Sequence, residues 1–111
     1  MRSQLNLNKY CDGLEDSQIN ELFRLCTDTK LRAQDVKLLV CESEDSNSMI
    51  YQISRLHFIA SLLVIDDFLE SCGKAPIFEI ANLRDAAGGN LKGIDEFPLI
   101  EQFDYLMEES A

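Results

Sequence analysis

The segment from residue 48 to residue 72 restricts the fold more than any other part of the chain. It contains neither glycine nor proline, and its apolar residues occupy more than one side of a helix. A helix of this kind has to be surrounded by other elements of structure. Gly73 can end it in the left-handed conformation, and Pro76 follows soon after. We therefore predict an all-α fold around a central buried helix at about residues 48–72.

The chain before residue 48 carries the signals of two further helices. Asp16 or Ser17 can begin the first, because either side chain can accept a hydrogen bond from the free N–H groups of a first turn. We predict that the Thr-Asp-Thr sequence at 27–29 ends this helix. Residues 31–42 open with strong helix formers and are predicted to form the second, although 38–41 would also suit a short buried strand.

Two more helices are predicted after residue 72. Pro76 suits the first turn of a helix that runs to about residue 87, where a Gly-Gly-Asn sequence follows. A last helix is predicted from Asp95 or Glu96, because leading acids favour the positive end of a helix. The complete pattern predicts a compact bundle of four to six helices in a single globular domain over residues 1–111.

Charge is the second informative property of the sequence. Acidic residues outnumber basic ones by 20 to 10, which gives a formal net charge of −10. From residue 95 onward there are six acids and no base, interspersed with large apolar residues. Such a charge repels the phosphates of nucleic acids and anionic lipids, so we expect neither as a direct ligand. It favours a basic protein partner, while acidity for solubility alone is the alternative.

The acids that would meet such a partner fall into two groups. Three of them line one side of the predicted last helix, with a tyrosine near the boundary to the apolar side. Three others lie at neighbouring helical positions near the end of the central helix. Carboxylates beside an aromatic ring are good anchors for Lys and Arg side chains. The predicted partner-binding residues are Asp66, Asp67, Glu70, Glu101, Asp104, Tyr105 and Glu108.

The cysteines do not indicate a metal site. Their spacing includes no C-x-x-C pair and is too wide for a compact zinc knuckle. We interpret them as small buried thiols in a reducing compartment. The four are Cys11, Cys26, Cys41 and Cys72.

Neither the single histidine nor the central acidic cluster predicts catalysis. His57 has no evident nucleophile or orienting carboxylate, so we interpret it as a structural residue. Asp66, Asp67 and Glu70 could hold Mg²⁺ or Mn²⁺ only with further acids on a facing helix, and no second matching motif follows. We therefore expect no metal, no cofactor and no enzymatic activity.

The sequence also predicts where the protein resides. Its first ten residues lack the apolar run of a secretory signal, and the longest apolar patch, at about residues 62–65, is too short to span a bilayer. We expect a cytoplasmic protein that does not enter a membrane.

These properties lead to three hypotheses about function. The leading one is an acidic inhibitor that blocks the active site of a basic protein, most concretely an immunity protein or antitoxin that neutralises a nuclease toxin. The chain is similar to bacteriocin and contact-dependent immunity proteins in its size and acidity. The second is a structural or adaptor subunit without an inhibitory role. The third is a metal-dependent hydrolase that uses Asp66, Asp67 and Glu70.

Overall fold

Four α-helices make up most of the protein, which confirms the predicted all-α fold. The computed structural model describes residues 4–42 and 48–110. Within these ranges the helices are α1 (Asp16–Glu42), α2 (Met49–Ser71), α3 (Ile80–Ala86) and α4 (Glu96–Met107). Two short 3₁₀ helices, Asn6–Tyr10 and Leu91–Gly93, precede α1 and α4 respectively.

The central helix has the ends that the sequence predicts. The Ser48 side chain accepts a hydrogen bond from the Tyr51 backbone N–H at 3.2 Å and thereby caps the first turn of α2. Gly73 follows the last turn with a φ of 80°, a left-handed conformation that glycine adopts without a steric penalty. The side of α2 that faces the rest of the fold is fully buried, with Phe58, Leu62 and Leu69 inaccessible to solvent.

The predicted break at residues 27–29 is wrong, because α1 continues through it to Glu42. The hydroxyl groups of Thr27 and Thr29 donate to the carbonyls of Phe23 and Leu25, four residues earlier, at 2.9 and 3.0 Å. The two threonines are therefore satisfied inside a continuous helix, and Thr29 is fully buried. The same continuity settles residues 38–41 as helix rather than strand.

The predicted start of α3 at Pro76 is also wrong. This helix begins only at Ile80 and is seven residues long. The preceding residue, Glu79, has a φ of 53°, so the chain cannot be helical there. The Asp66 carboxylate of α2 accepts hydrogen bonds from the N–H groups of Ile77, Phe78 and Ile80, and these bonds hold the segment in a non-helical conformation up to the start of α3.

The last helix begins as predicted. The Asp95 carboxylate accepts a hydrogen bond from the Phe97 backbone N–H at 3.1 Å, and Pro98 lies in the first turn, where its missing N–H costs little. Beyond α4 the chain forms a two-residue strand, β2 (Glu109–Ser110), which pairs antiparallel with β1 (Gln4–Leu5). The sequence pattern indicated neither this short strand pairing nor the two 3₁₀ helices.

The helices are arranged in two layers. Helices α1 and α2 form a hairpin, and α4 packs on one side of it: Phe58 of α2 meets Phe103 of α4 edge-on, with 6.3 Å between ring centroids. Phe78, in the segment before α3, also contacts Phe103, at 6.5 Å. The principal dimensions of the molecule are 43 × 33 × 20 Å, and the smallest equals about two helix diameters.

By length and composition, α2 could cross a membrane. Its most apolar window has a mean hydropathy of 1.2, and 39% of that window is buried inside the fold. The argument from the short apolar patch at 62–65 therefore does not hold for the helix as a whole. A core helix passes the same test, and both Arg55 and Asp66 of α2 make hydrogen bonds to other parts of this fold.

Candidate functional site

A buried network of three polar side chains fixes the beginning of α4. The Arg55 Nε atom donates to Glu96 Oε2 at 2.8 Å, and the Tyr51 hydroxyl donates to the other oxygen of the same carboxylate. The Arg55 Nη2 atom donates to the carbonyls of Lys92 and Ile94 at 2.7 and 2.6 Å. The network thus connects α2 to the segment that leads into α4, and it positions the whole of the last helix.

The electrostatics of this network follow from its burial. Glu96 is only 5% exposed, and burial by itself raises the pKa of a carboxyl group. Hydrogen bonds from Tyr51 and Arg55 outweigh that effect and hold the pKa of Glu96 below its usual 4.5. Burial, together with the hydrogen bond to the Glu96 carboxylate, raises the pKa of Tyr51 to about 12. The group therefore contains an ionised Glu–Arg pair and a neutral phenol at neutral pH.

Asp66, one of the predicted partner-binding residues, lies inside the fold and not on an exposed acidic surface. Its side chain is 2% exposed. The Oδ1 atom accepts from the N–H groups of Ile77 and Phe78 at 2.9 and 3.0 Å, and Oδ2 accepts from Ile80 N–H at 2.9 Å. Both oxygens thus accept hydrogen bonds from the backbone just before α3 and at its first residue. Since the residue next to it, Asp67, is exposed, sequence spacing alone could not separate their roles.

The solvent side of α4 forms a mixed acidic and aromatic surface. Phe97 is 52% exposed and Tyr105 is 61% exposed, although both are large enough to be buried. They lie eight residues apart with Glu101 halfway between them, so the three share one side of the helix. Asp104 extends this side within α4, and Glu108 follows directly after the last helical residue, in an extended conformation. We define the acidic–aromatic face as Phe97, Glu101, Asp104, Tyr105 and Glu108.

One basic side chain partly neutralises this face. The Lys37 Nζ atom of α1 donates to both oxygens of Asp104, at 2.9 and 2.7 Å. An exposed pair of this kind contributes little to stability, but it lowers the charge available to a partner at Asp104. Glu101 and Glu108 remain as the exposed acids of the face for which the structure describes no ion pair.

The other predicted acids lie elsewhere. Asp67 and Glu70 are exposed near the end of α2, where they border a small hollow together with Glu79 and Asn82. No contact within the described ranges joins them to the acids of α4. The structure therefore separates the predicted surface into two acidic regions.

An apolar groove opens beside the acidic–aromatic face. It encloses about 530 Å³ between the segment before α3 and the first half of α4, with Leu83, Ile94 and Pro98 among its walls. Pro98 and Glu101 are three residues apart on α4, so the groove and the face are neighbours. An apolar side chain and a cation of one ligand could be accommodated there together.

His57, which we interpret as a structural residue, is exposed at the surface of α2. It borders a hollow of about 290 Å³ with Asp28 and Arg32 of α1 and Ser61 and Val64 of α2. The reason is that no element covers this side of the hairpin among residues 4–42 and 48–110.

The cysteines only partly match their interpretation as buried thiols. Cys26 is fully buried, and burial followed by the nearby Cys11 raises its pKa to about 12. Cys11 and Cys72 are half-buried free thiols, and the Cys41 side chain lies outside the described part of the chain. Within the described residues no group of His, Cys, Asp and Glu side chains could hold a metal ion.

Sequence reasoning missed two components of the site. Phe97 is one of the large apolar residues after position 95, and only its position opposite the buried Leu99 and Phe103 shows that it faces solvent. The pairing of Arg55 with Glu96 joins residues that are 41 positions apart, and no local pattern indicates it. Comparisons of the chain with protein-family models, with curated proteins and with solved structures found no match.

Proposed function

We propose that this protein binds a basic protein through the acidic–aromatic face and inhibits it. The most concrete form of the proposal is an immunity protein or antitoxin that acts in the cytoplasm by covering the active site of a nuclease toxin. A nuclease needs a basic cleft for the phosphates of its substrate, and a small anionic surface can occupy such a cleft.

The observation that carries the proposal is the exposure of Phe97 and Tyr105 on both sides of Glu101. Aromatic side chains are over-represented at the centres of protein interfaces, and an aromatic ring next to a carboxylate suits the guanidinium or ammonium group of a partner. A face that served solubility alone would not need two large rings in contact with water.

The construction of α4 also supports a binding role. The buried pair of Arg55 and Glu96 fixes its first turn, and Phe103 anchors its middle in the core. A rigid helix loses little conformational entropy when it binds, so its exposed side chains are presented in a nearly fixed geometry. The neighbouring groove offers a place for an apolar side chain of the same partner.

The test is capture of the partner from the native host, followed by charge reversal. We expect the Glu101→Lys/Glu108→Lys variant to bind the captured protein at least about 30-fold more weakly, because like charges then meet across the interface. The matched control is Glu15→Lys/Asp85→Lys, which changes the net charge equally at exposed sites outside α4. Calorimetry at two salt concentrations measures both effects, and the binding of the unmodified protein should weaken with salt.

Equal losses of affinity in both variants would show that only the total charge of the protein matters. Unchanged affinity in both variants would contradict the placement of α4 in the interface. Inhibition itself is tested by adding the protein to the captured partner in a nuclease assay. A partner that binds but is not a nuclease would support the proposed binding role and contradict the hypothesis of a nuclease toxin.

The structural or adaptor hypothesis is favoured by a different observation, the uncovered apolar side of the α1–α2 hairpin. The hydrolase hypothesis has no comparable support. It needs Asp66 as a metal ligand, and both oxygens of Asp66 are occupied by backbone N–H groups.

A further inference from the structure

The side of the hairpin that faces away from α4 carries a row of mostly apolar residues on α2, with His57 at its middle. Its members recur at alternating intervals of three and four residues, which is the spacing of a helix that packs against another helix. Ile50 is 67% exposed, Ile53 is 46% exposed and Val64 is 49% exposed, whereas Ala60 is half-buried, so the row is largely open to solvent between residues 50 and 64. We define the outer hairpin face by this row and by the two charged residues of α1 that border the hollow beside it: Ile50, Ile53, His57, Ala60, Val64, Asp28 and Arg32.

The exposure of this row is unusual for the helix that carries it. α2 is apolar on nearly all sides, and such helices are normally covered all round. Here α1 covers one side of α2, and α4 and the segment before α3 cover a second, so the side directed away from α4 stays uncovered among residues 4–42 and 48–110. The 20 Å thickness of the molecule agrees with two layers of helices and no third.

The outer hairpin face also differs from the rest of the surface in charge. Whereas α4 presents mostly acids, the shallow hollow in the outer face has one acid and one base on the same helix, Asp28 and Arg32. Asp28 also lies 3.4 Å from the Arg24 guanidinium, which reduces its charge further. Two copies of a protein with a net charge of −10 repel each other over most of their surfaces, whereas Asp28 has a base on each side of it along α1, Arg24 and Arg32.

We infer that the outer hairpin face is the contact between two copies of this chain. A two-fold axis that crosses α1 near the hollow places Arg32 of each copy beside Asp28 of the other, so the face is complementary to itself. The apolar rows of the two α2 helices then cover each other, and the two hairpins together form a four-helix arrangement. This contact does not depend on the proposed inhibitory function, because it uses the opposite side of the molecule.

The first test is sedimentation velocity of the purified protein over a wide range of concentrations. We expect a reversible dimer whose dissociation constant rises at least tenfold in the Ile53→Glu variant, because a charge would be buried in the contact. The control is Leu83→Glu, an equally large change at an exposed apolar residue on α3, which should leave the dimer unchanged. Circular dichroism verifies that both variants keep their helices.

A monomer at all concentrations would overturn the inference, and so would equal effects of the two substitutions. If the monomeric protein instead bound phosphatidylcholine vesicles, the face would be a lipid-binding surface, and the inference would likewise fail.

The second test concerns the charges. Arg32→Asp should weaken the dimer, and Asp28→Arg/Arg32→Asp should restore it, because reversal of both signs preserves a two-fold complementarity. Failure of the double variant to recover would contradict the two-fold arrangement even if the protein is a dimer.

Discussion

The pair of Arg55 and Glu96 provides the sharpest test of how this fold is held together. Replacement of Glu96 by Gln keeps the shape of the side chain and removes its charge. The guanidinium of Arg55 then remains buried without a counter-charge, and the Tyr51 hydroxyl loses an ionised acceptor. Removal of one partner of a buried ion pair typically costs about 3–5 kcal/mol of unfolding free energy.

We expect a value near the lower limit, about 3 kcal/mol, for a reason that the structure supplies. Arg55 still donates to the carbonyls of Lys92 and Ile94, and the new amide oxygen can still accept from it. A domain of this size is stable by roughly 5–15 kcal/mol, so the loss is a large fraction of the total. The melting temperature should fall by roughly 12 °C.

The assay is urea denaturation followed by circular dichroism, for the single variants Glu96→Gln and Arg55→Met and for their combination. Because each single variant leaves a buried polar group without its partner, the double variant should lose less stability than the sum of the two. A loss below about 1 kcal/mol in Glu96→Gln would refute the reasoning, as would full additivity in the double variant.

The pH dependence of the same variant gives an independent check. The folded-state pKa of Glu96 lies below the ordinary value of 4.5, so the ionised carboxylate stabilises the fold above about pH 4.5. This stabilisation is lost as the pH falls through the folded-state pKa. Glutamine does not titrate, and the difference in stability between the two proteins should therefore be constant near neutral pH and shrink below pH 4.5. If the difference in stability grew in acid, the pKa of Glu96 would have to be raised in the folded protein, contrary to this prediction.

Two further substitutions test the turn before α3 and the contact before α4. Asp66→Asn should lower the free energy of unfolding by about 1–3 kcal/mol in urea denaturation, because a carboxamide nitrogen cannot accept a hydrogen bond. It should also speed the hydrogen exchange of the Ile80 amide. The control Asp67→Asn, at an exposed site, should change stability by less than about 0.5 kcal/mol. Gly93→Ala should cost about 1–3 kcal/mol, because its new Cβ would lie 2.9 Å from the Cβ of Ala87, and the double variant with Ala87→Gly should recover part of that loss.

The sequence predicted the helices where the local signals agreed with the tertiary contacts. The central helix has Ser48 before its first turn and Gly73 after its last, and no glycine or proline between them. The last helix, predicted to start at Asp95 or Glu96, has Asp95 as its N-cap and Glu96 as its first residue. At these positions the capping residue, the apolar spacing and the packing all favour the same boundaries.

The two wrong helix boundaries have a common cause, which is that a distant or neighbouring hydrogen bond outweighed a local preference. At Thr27 and Thr29, hydroxyls that can end a helix instead bond back to its carbonyls. At Pro76, a residue suited to a first turn is followed by N–H groups that the Asp66 carboxylate holds in another conformation. The sequence separation of Asp66 from Ile80 is 14 residues, which no pattern of local spacing reveals.

The acidic surface was predicted less well than the fold, because the charge of a residue does not show whether it is exposed. Of the acids after residue 94, Asp95 caps α4 and Glu96 is buried with Arg55. Asp104 is paired with Lys37. Among the acids after residue 94 whose side chains the structure describes, Glu101 and Glu108 are exposed and have neither a described ion pair nor a side-chain capping role, and charge reversal at these two positions is the informative experiment.

The two proposed contacts lie on opposite layers of the molecule, and this arrangement has a consequence for stoichiometry. The core side of α4 packs against the inner side of the hairpin, where Phe103 meets Phe58, so its acidic–aromatic face is directed away from the outer hairpin face. A dimer formed through the hairpins would therefore leave both α4 helices free, and each could bind one partner. A two-to-two assembly is expected if both contacts form. Ile53→Glu should convert it to one-to-one without a change in the affinity of each α4 face, since no residue of α4 takes part in the dimer contact.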